Sequence, residues 1–160
     1  MTTRVGKGIF SGFIATVALS VLMIIKTSTG MMPEMNAIKM LSVMAHGNIG
    51  TPLTPVIGWV LHFIIGSLLW GILFGLLYER LPSHIPAVKG LIFASAAWIL
   101  MMIMVMPMVG AGFFGFNLGL GAPVATLVLH WAYGIVLGAM YGKLNSAPRL
   151  IASHNRVQKL

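Results

Sequence analysis

Four long apolar stretches alternate with shorter polar or glycine-rich segments along this chain of 160 residues. Each stretch is about as long as a helix must be to cross the hydrocarbon core of a bilayer, which takes roughly 20 residues. None shows the alternation of apolar and polar positions that is typical of strands. The pattern therefore predicts an all-α integral membrane protein with four transmembrane helices, at residues 8–25, 55–78, 88–109 and 123–141.

The two loops on the side away from the chain termini differ in character. The first, residues 27–54, contains Pro33 and Glu34, which favour the start of a short helix that we expect Gly47 to end. We expect this helix to lie on the membrane surface. The second loop, residues 110–123, is rich in glycine and phenylalanine, and we expect it to fold back against the membrane interface.

One sequence pattern occurs twice. "PVIGWVLHFIIG" at 55–66 and "PVATLVLHWAYG" at 123–134 share proline, valine, histidine, an aromatic residue and glycine at fixed spacing. Further along, "GILFGLLYERL" at 71–81 matches "GIVLGAMYGKL" at 134–144 in a register that differs by five residues. We interpret the chain as a duplicated helical hairpin, with repeats at about residues 7–81 and 89–144. Because equivalent helices run the same way, we predict parallel repeats about an axis along the membrane normal, with the second and fourth helices facing each other.

The composition agrees with a membrane protein. Charged residues make up 8% of the chain and hydrophobic residues 58%, whereas a soluble domain carries about 25% charged residues; the mean hydropathy is +0.97. The chain has no cysteine, and its only acidic residues are Glu34 and Glu79. This excludes disulfides and thiolate sites and leaves almost nothing for chemistry based on paired carboxylates. The membrane explains the net charge of +8 better than nucleic acid, which we do not expect as a partner.

The basic residues predict an orientation. On the side opposite the chain termini lie only Lys26 and Lys39, so the positive-inside rule predicts that both termini are cytoplasmic. We expect residues 1–142 to form one four-helix transmembrane domain and residues 143–160 a basic cytoplasmic tail, either solvated or with a weak amphipathic turn on anionic lipid. The eight basic residues on the terminal side are Arg4, Lys7, Arg80, Lys89, Lys143, Arg149, Arg156 and Lys159.

Two histidines occupy equivalent positions in the repeated pattern. His62 and His130 each lie seven residues after a proline, which places both imidazoles roughly 10 Å inside the membrane. Two imidazoles at matching depth on facing helices suit bis-histidine coordination of haem b, and Gly66 and Gly134 would leave space for the porphyrin edge. The structural alternative is that each imidazole hydrogen-bonds to a neighbouring helix. The sequence leaves both interpretations open.

The chain contains 13 methionines, concentrated in the half of the molecule away from the termini. Their i,i+3 and i,i+4 spacing places several thioethers on one helix face, and thioether sulfur is a soft ligand suited to Cu(I). Methionine is equally a flexible apolar residue that fills helix interfaces. The candidate copper ligands are Met32, Met35, Met101, Met104 and Met108.

Several short motifs together resemble a known family. They are Lys7-Gly8, Met32-Pro33 and Met106-Pro107, Leu61-His62-Phe63 and Leu129-His130-Trp131, and the glycine–tyrosine ends at 75–78 and 138–141. This set is similar to that of a bacterial family of small four-helix inner-membrane proteins of unknown function. The resemblance implies the four-helix topology and a location in the bacterial cytoplasmic membrane, and it implies no activity.

Three functional classes remain. We expect a non-catalytic protein, an accessory or structural subunit that docks onto a larger membrane complex, or onto further copies of itself, through small-residue helix faces. The alternative is a membrane protein for electron transfer or metal handling that binds haem or Cu(I). A small transporter is the third option, for which no intramembrane carboxylate or basic residue offers ion coupling.

Overall fold

The computed structural model describes the backbone of residues 3–30 and 35–157 and the side chains of residues 3–30 and 35–146. All the regular structure in these residues is helical, which confirms the all-α prediction. Four helices are long and apolar enough to cross a membrane, as predicted. They are span one, Arg4–Ser28; span two, Pro55–Arg80; span three, Pro86–Met108; and span four, Gly121–Ser146.

Spans one and four are regular α-helices. Helix α1, Arg4–Ser28, begins after Thr3, whose hydroxyl accepts a hydrogen bond from the backbone N–H of Gly6 at 3.1 Å. Helix α7, Gly121–Val157, contains span four and continues past the predicted boundary at residue 142. The backbone of the basic tail is therefore a continuation of the membrane helix as far as Val157.

Spans two and three each change helix type along their length. Span two begins as α3, Pro55–Phe63, passes through a π-helical segment, Ile64–Trp70, and continues as α4, Gly71–Leu77, and a 3-10 turn, Tyr78–Arg80. Span three begins as α5, Pro86–Leu100, and passes through a π-helical segment, Met101–Val105, into α6, Met106–Met108. Pro107 accounts for the second π-helical segment, because proline has no N–H to donate to the carbonyl one α-helical turn before it.

The short helix in the first loop is α2, Ala37–Ile49. The side chain of Asn36 accepts the N–H of Lys39 at 3.0 Å and caps its start, while Pro33 and Glu34 lie outside the described residues. The predicted end at Gly47 is wrong. The helix ends at Gly50, whose φ of +69° provides the left-handed turn that commonly follows a helix.

Helix α2 packs against the start of span two. Gly58 makes this contact possible, because a Cβ atom there would overlap the carbonyl of Ile38. Ile38 and Ala45 are buried in α2, whereas Val43 and Ile49 are exposed. The helix thus covers α3 with one apolar face and leaves a second one open.

Paired glycines join each hairpin. Gly8 of span one lies against Gly71 of span two, and Gly90 of span three lies against Gly134 of span four, so close that a Cβ atom at any of them would overlap the partner backbone. Small residues let membrane helices approach in this way. Span one also packs along span four. The small-residue faces that we expected to dock onto other proteins are therefore used inside this chain.

The half of the bundle near the termini has an aromatic core, which we call the aromatic cluster. Its buried members are Ala15, Phe74, Tyr78, Phe93, Tyr133, Leu137 and Tyr141. The rings of Tyr78 and Tyr141 lie 4.4 Å apart, and the Tyr133 hydroxyl donates to the Gly66 carbonyl at 2.6 Å. These contacts bring spans two and four together.

The half of the bundle near the loops has a different core, which we call the methionine cluster. It consists of Met102, Met106 and Ala111, with Met40, Trp98, Met101, Val109, Phe114 and Leu118 packed against them. Phe114 reaches it from the second loop, where a 3-10 segment, Phe113–Leu118, reverses direction at Phe114 and Gly115, which have φ of +55° and +71°. That loop folds back onto the bundle through Phe114 and leaves Phe113 and Phe116 exposed.

Candidate functional site

His62 is hydrogen-bonded to span one. Its Nε2 lies 3.1 Å from the Ser20 hydroxyl oxygen, and that hydroxyl donates its only proton to the Thr16 carbonyl at 2.8 Å. The Ser20 oxygen must therefore accept from His62, which assigns the proton to Nε2. The rings of Trp59 and Phe63 each meet the imidazole edge-on, with centroids 5.7 Å away.

His130 is bonded within its own helix instead. Its Nδ1 lies 2.8 Å from the Thr126 carbonyl one turn earlier, so that Nδ1 carries the proton and donates. Thr126 also joins span four to span three, because its hydroxyl accepts from the Trp98 indole N–H at 3.0 Å. The equivalent histidines therefore hold opposite tautomers. Nε2 is a donor in His62 and carries a lone pair in His130.

The glycines that were expected to leave room for a porphyrin edge are in contact with protein atoms. A Cβ atom at Gly66 would overlap the Thr16 hydroxyl, and one at Gly134 would overlap the backbone of Gly90. Both glycines serve helix packing. Haem coordination would also require His62 to give up its bond to Ser20, because iron binds an unprotonated imidazole nitrogen. Haem binding by His62 and His130 stays a prediction.

The four described methionines among the five predicted copper ligands occupy different surroundings. Met104 and Met108 are 54% and 57% exposed on the outside of the bundle. Met35 is buried beside α2, where its backbone carbonyl accepts from the Lys26 ammonium at 2.6 Å. Met101 packs on the methionine cluster, and Met32 lies outside the described residues.

A different set of thioethers lies together in the methionine cluster, beside the π-helical segment of span three. The prediction of copper ligands assumes α-helical spacing, which pairs Met101 with Met104 and Met108. A π-helix instead places residues i and i+5 one turn apart, and Met101 and Met106 both belong to the methionine cluster. Met102 and Met106 are 0% and 4% exposed. Met40 joins them from α2.

Several polar side chains of the terminal half have positions that the sequence pattern did not predict. Lys89, one of the basic residues on the terminal side, is buried, and its ammonium donates to the Tyr78 carbonyl at 2.6 Å from a position over the Tyr78 ring. The hydroxyls of Ser11 and Ser67 are buried without a hydrogen-bond partner among the described residues. A hydroxyl or an amine inside an apolar run is the sequence signal that could have directed attention to these positions.

Within the part of the chain that the structure describes, no three histidine or acidic side chains are grouped as a metal site would require. Neither the curated proteins nor the solved structures include a match to this chain. A family model matches residues 2–152, almost the whole length. The chain therefore belongs to the family of unknown function DUF6789.

Proposed function

We propose that this protein is a non-catalytic membrane protein that serves as an accessory or structural subunit of a larger membrane assembly. The proposal rests on the apolar side chains exposed on the loops, outside the four spans: Ile49, Leu53, Phe113, Phe116 and Leu120. Leu120 is 83% exposed and Ile49 73%. Exposed apolar residues gathered at one end of a molecule mark a surface that contacts another protein or the membrane. We call these five residues the loop-end surface.

The interior is consistent with a structural role. Several aromatic and imidazole side chains there are held by hydrogen bonds to helix backbone or to hydroxyls, as for Tyr133 on Gly66 and Trp98 on Thr126. Bonds of this kind hold membrane helices in register.

We further propose that the protein is a parallel duplication lying in a bacterial cytoplasmic membrane, with cytoplasmic termini and α2 at the opposite surface. Equivalent glycine contacts support the duplication, because Gly8 meets Gly71 in one hairpin as Gly90 meets Gly134 in the other. The clustering of basic residues beside the termini supports the orientation.

The π-helical segment of span two explains how the two repeats keep equivalent contacts despite their different lengths. Sixteen residues separate Pro55 from Gly71, but eleven separate Pro123 from Gly134. Five extra residues turn an α-helix about 140° beyond one full turn. A π-helix winds more slowly, at about 4.4 residues per turn, so its seven residues recover roughly 125° of that rotation. The glycine face of span two is thereby turned back toward span one.

Site-specific photo-cross-linking in intact cells tests the subunit proposal. A photoreactive amino acid at Leu120, on the loop-end surface, is expected to give a discrete protein adduct. The matched control is Ile99, a 47% exposed residue of span three, where we expect lipid adducts. Lipid adducts alone at Leu120, or the same protein adducts at both positions, would contradict the proposal. An adduct of twice the chain mass would mean that the loop-end surface contacts a second copy of this chain and not a different protein.

A second candidate function, soft-metal binding, is favoured by the methionine cluster. Met40, Met101, Met102 and Met106 bring four thioethers to one buried region between α2 and span three. Thioether sulfur prefers Cu(I) among biological metal ions. Trp98 and Phe114 pack around the cluster and shield it from water.

Titration of the detergent-solubilised protein with Ag(I), a redox-inert substitute for Cu(I), tests this candidate. With methionine methyl groups labelled for NMR, the resonances of Met102 and Met106 should shift at stoichiometric metal. Replacing both with leucine should abolish binding, whereas replacing the exposed Met104 and Met108 should not. Equal loss in both double variants would mean that silver binds surface thioethers, and the candidate would be rejected.

The haem alternative has a direct test in the absorption spectrum of the purified protein. A Soret band that disappears in both His62→Ala and His130→Ala would establish bis-histidine coordination and overturn the structural interpretation of these residues. Colourless protein, after expression with haem supplied, would end the haem alternative.

A further inference from the structure

A groove of about 500 Å³ lies between the start of span three and the later part of span four. Residues 85–87 form one wall, and Ala139, Gly142, Lys143 and Ser146 form the other. It belongs to the end of the bundle that carries the chain termini. Gly142 lets the walls meet at the bottom, because a Cβ atom there would come within 2.6 Å of the Pro86 ring.

The lining is apolar along its length and cationic at one side. Ile85 is 61% exposed and contributes an open apolar edge, while Lys143 is an exposed residue of α7. The Ser146 hydroxyl donates to the Gly142 carbonyl at 2.9 Å, so its proton is already used. Lys143 is therefore the lining side chain suited to an anionic group.

Positive charge predominates around the groove. Arg4, Lys7, Arg80 and Lys89 lie at the same end of the bundle, where Glu79 is the single acidic residue among the residues that the structure describes. Lys7 donates to the Asn145 side chain at 3.0 Å, on the turn of α7 between Lys143 and Ser146. An anion at Lys143 would thus sit in a field from several cations.

We propose that this groove binds one anionic phospholipid, with an acyl chain along the apolar lining and the phosphate at Lys143. The groove opens between two membrane spans at the level where a headgroup meets the acyl region, and basic pockets between spans recognise anionic headgroups. The inference rests on the membrane location proposed above. It adds a specific ligand for a single site.

Native mass spectrometry of the full chain, released from nanodiscs that contain equal amounts of phosphatidylglycerol and phosphatidylcholine, tests this proposal. We expect one retained phosphatidylglycerol per chain. Lys143→Ala should lower its retention about fivefold, the change that corresponds to roughly 1 kcal/mol per lysine near an anionic surface. Arg80→Ala is the matched control, because Arg80 is an exposed cation at the same end but outside the groove lining, and it should lower retention much less than Lys143→Ala does.

Three results would overturn the proposal: no preference for phosphatidylglycerol, equal losses in Lys143→Ala and Arg80→Ala, or displacement of the lipid by millimolar inorganic phosphate. Ala139→Leu, which narrows the groove, should reduce retention of the lipid in the groove. It should not change the preference for anionic lipid at other surfaces of the protein. If that variant does not fold, the exposed Lys143 position still decides the question. Insertion into nanodiscs reports on the membrane location separately, so failure of the site is distinguishable from failure of the proposed function.

Discussion

The two halves of this bundle are built from different side chains. Near the termini, aromatic rings fill the core and tyrosine hydroxyls hold neighbouring helices at fixed points. Near the loops, methionines fill the core, beside the short π-helical and α-helical segments that end span three and beside the folded-back second loop. Aromatic rings have few rotamers, whereas methionine adapts to irregular space. We therefore expect the terminal half to be the more rigid part of the molecule and the loop half to be the more adaptable one.

Glycine contacts follow the same division. Gly8, Gly71, Gly90 and Gly134 set the helix separations beside the aromatic cluster. In the loop half, Gly110 and Gly119 have open space where a Cβ would be and positive φ instead. Glycine permits close helix packing in the terminal half of the bundle and positive φ in the turns of the loop half.

The largest effect should come from the centre of the aromatic cluster. Phe74 is 0% exposed, and Phe74→Ala should lower the free energy of unfolding by about 3–5 kcal/mol, because the cavity cannot collapse between packed rings. Reversible unfolding in mixed micelles measures the change. Phe10→Ala is the control, since Phe10 is 50% exposed. Comparable losses in the two variants would contradict a rigid terminal half.

Gly90→Ala should be almost as severe. The added methyl group would overlap the carbonyl of Gly134, and separating the two helices costs about 3 kcal/mol. Gly47→Ala in α2 has nothing within 4 Å of the new methyl group and should be neutral or stabilising by up to about 1 kcal/mol. Thermal unfolding of both variants tests the difference, and a tolerated Gly90→Ala would mean that the hairpin contact is looser than the structure indicates.

Tyr133→Phe should have an intermediate effect. It removes the hydroxyl that donates to the Gly66 carbonyl at 2.6 Å, with an expected loss of about 1 kcal/mol, within the range for bonds between membrane helices. Tyr141→Phe removes a longer bond, 3.3 Å to the Gly75 carbonyl, and should cost less. Amide hydrogen exchange in residues 64–70 should rise in the Tyr133 variant. A larger loss of stability in Tyr141→Phe than in Tyr133→Phe would contradict the view that the shorter bond is the stronger link between spans two and four.

The smallest change is expected for Met102→Leu in the methionine cluster. Although Met102 is 0% exposed, a swap of similar volume usually costs below about 1.5 kcal/mol, and an adaptable cluster should bring the cost under about 0.5 kcal/mol. Met104→Leu on the exposed side serves as the control in the same unfolding assay. A loss in Met102→Leu that approaches that of Phe74→Ala would show that both halves are equally rigid.

Much of the fold followed from local sequence. The apolar runs determined that four helices form, and Pro55 determined where the second one begins, because length and a missing N–H act on each helix alone. The third begins at Pro86, two residues before its predicted start. The repeated glycines indicated close helix contacts. A short helix in the first loop also followed from the sequence. Its end did not, because the helix stops at Gly50, which adopts a left-handed backbone conformation, and not at Gly47.

Tertiary structure alone decided which side chains meet. In a helix that is apolar all round, hydropathy cannot distinguish the face toward lipid from the face toward protein, because lipid tails are as apolar as leucine. Nor does an α-helical period reveal a π-helical segment, in which Met101 and Met106 come one turn apart. Packing alone decided that Met102 and Met106 face the core and that Met104 and Met108 face outward. The two histidines, which occupy equivalent positions in the repeated pattern, likewise have different partners: His62 bonds to a serine on span one, and His130 bonds to a carbonyl of its own helix.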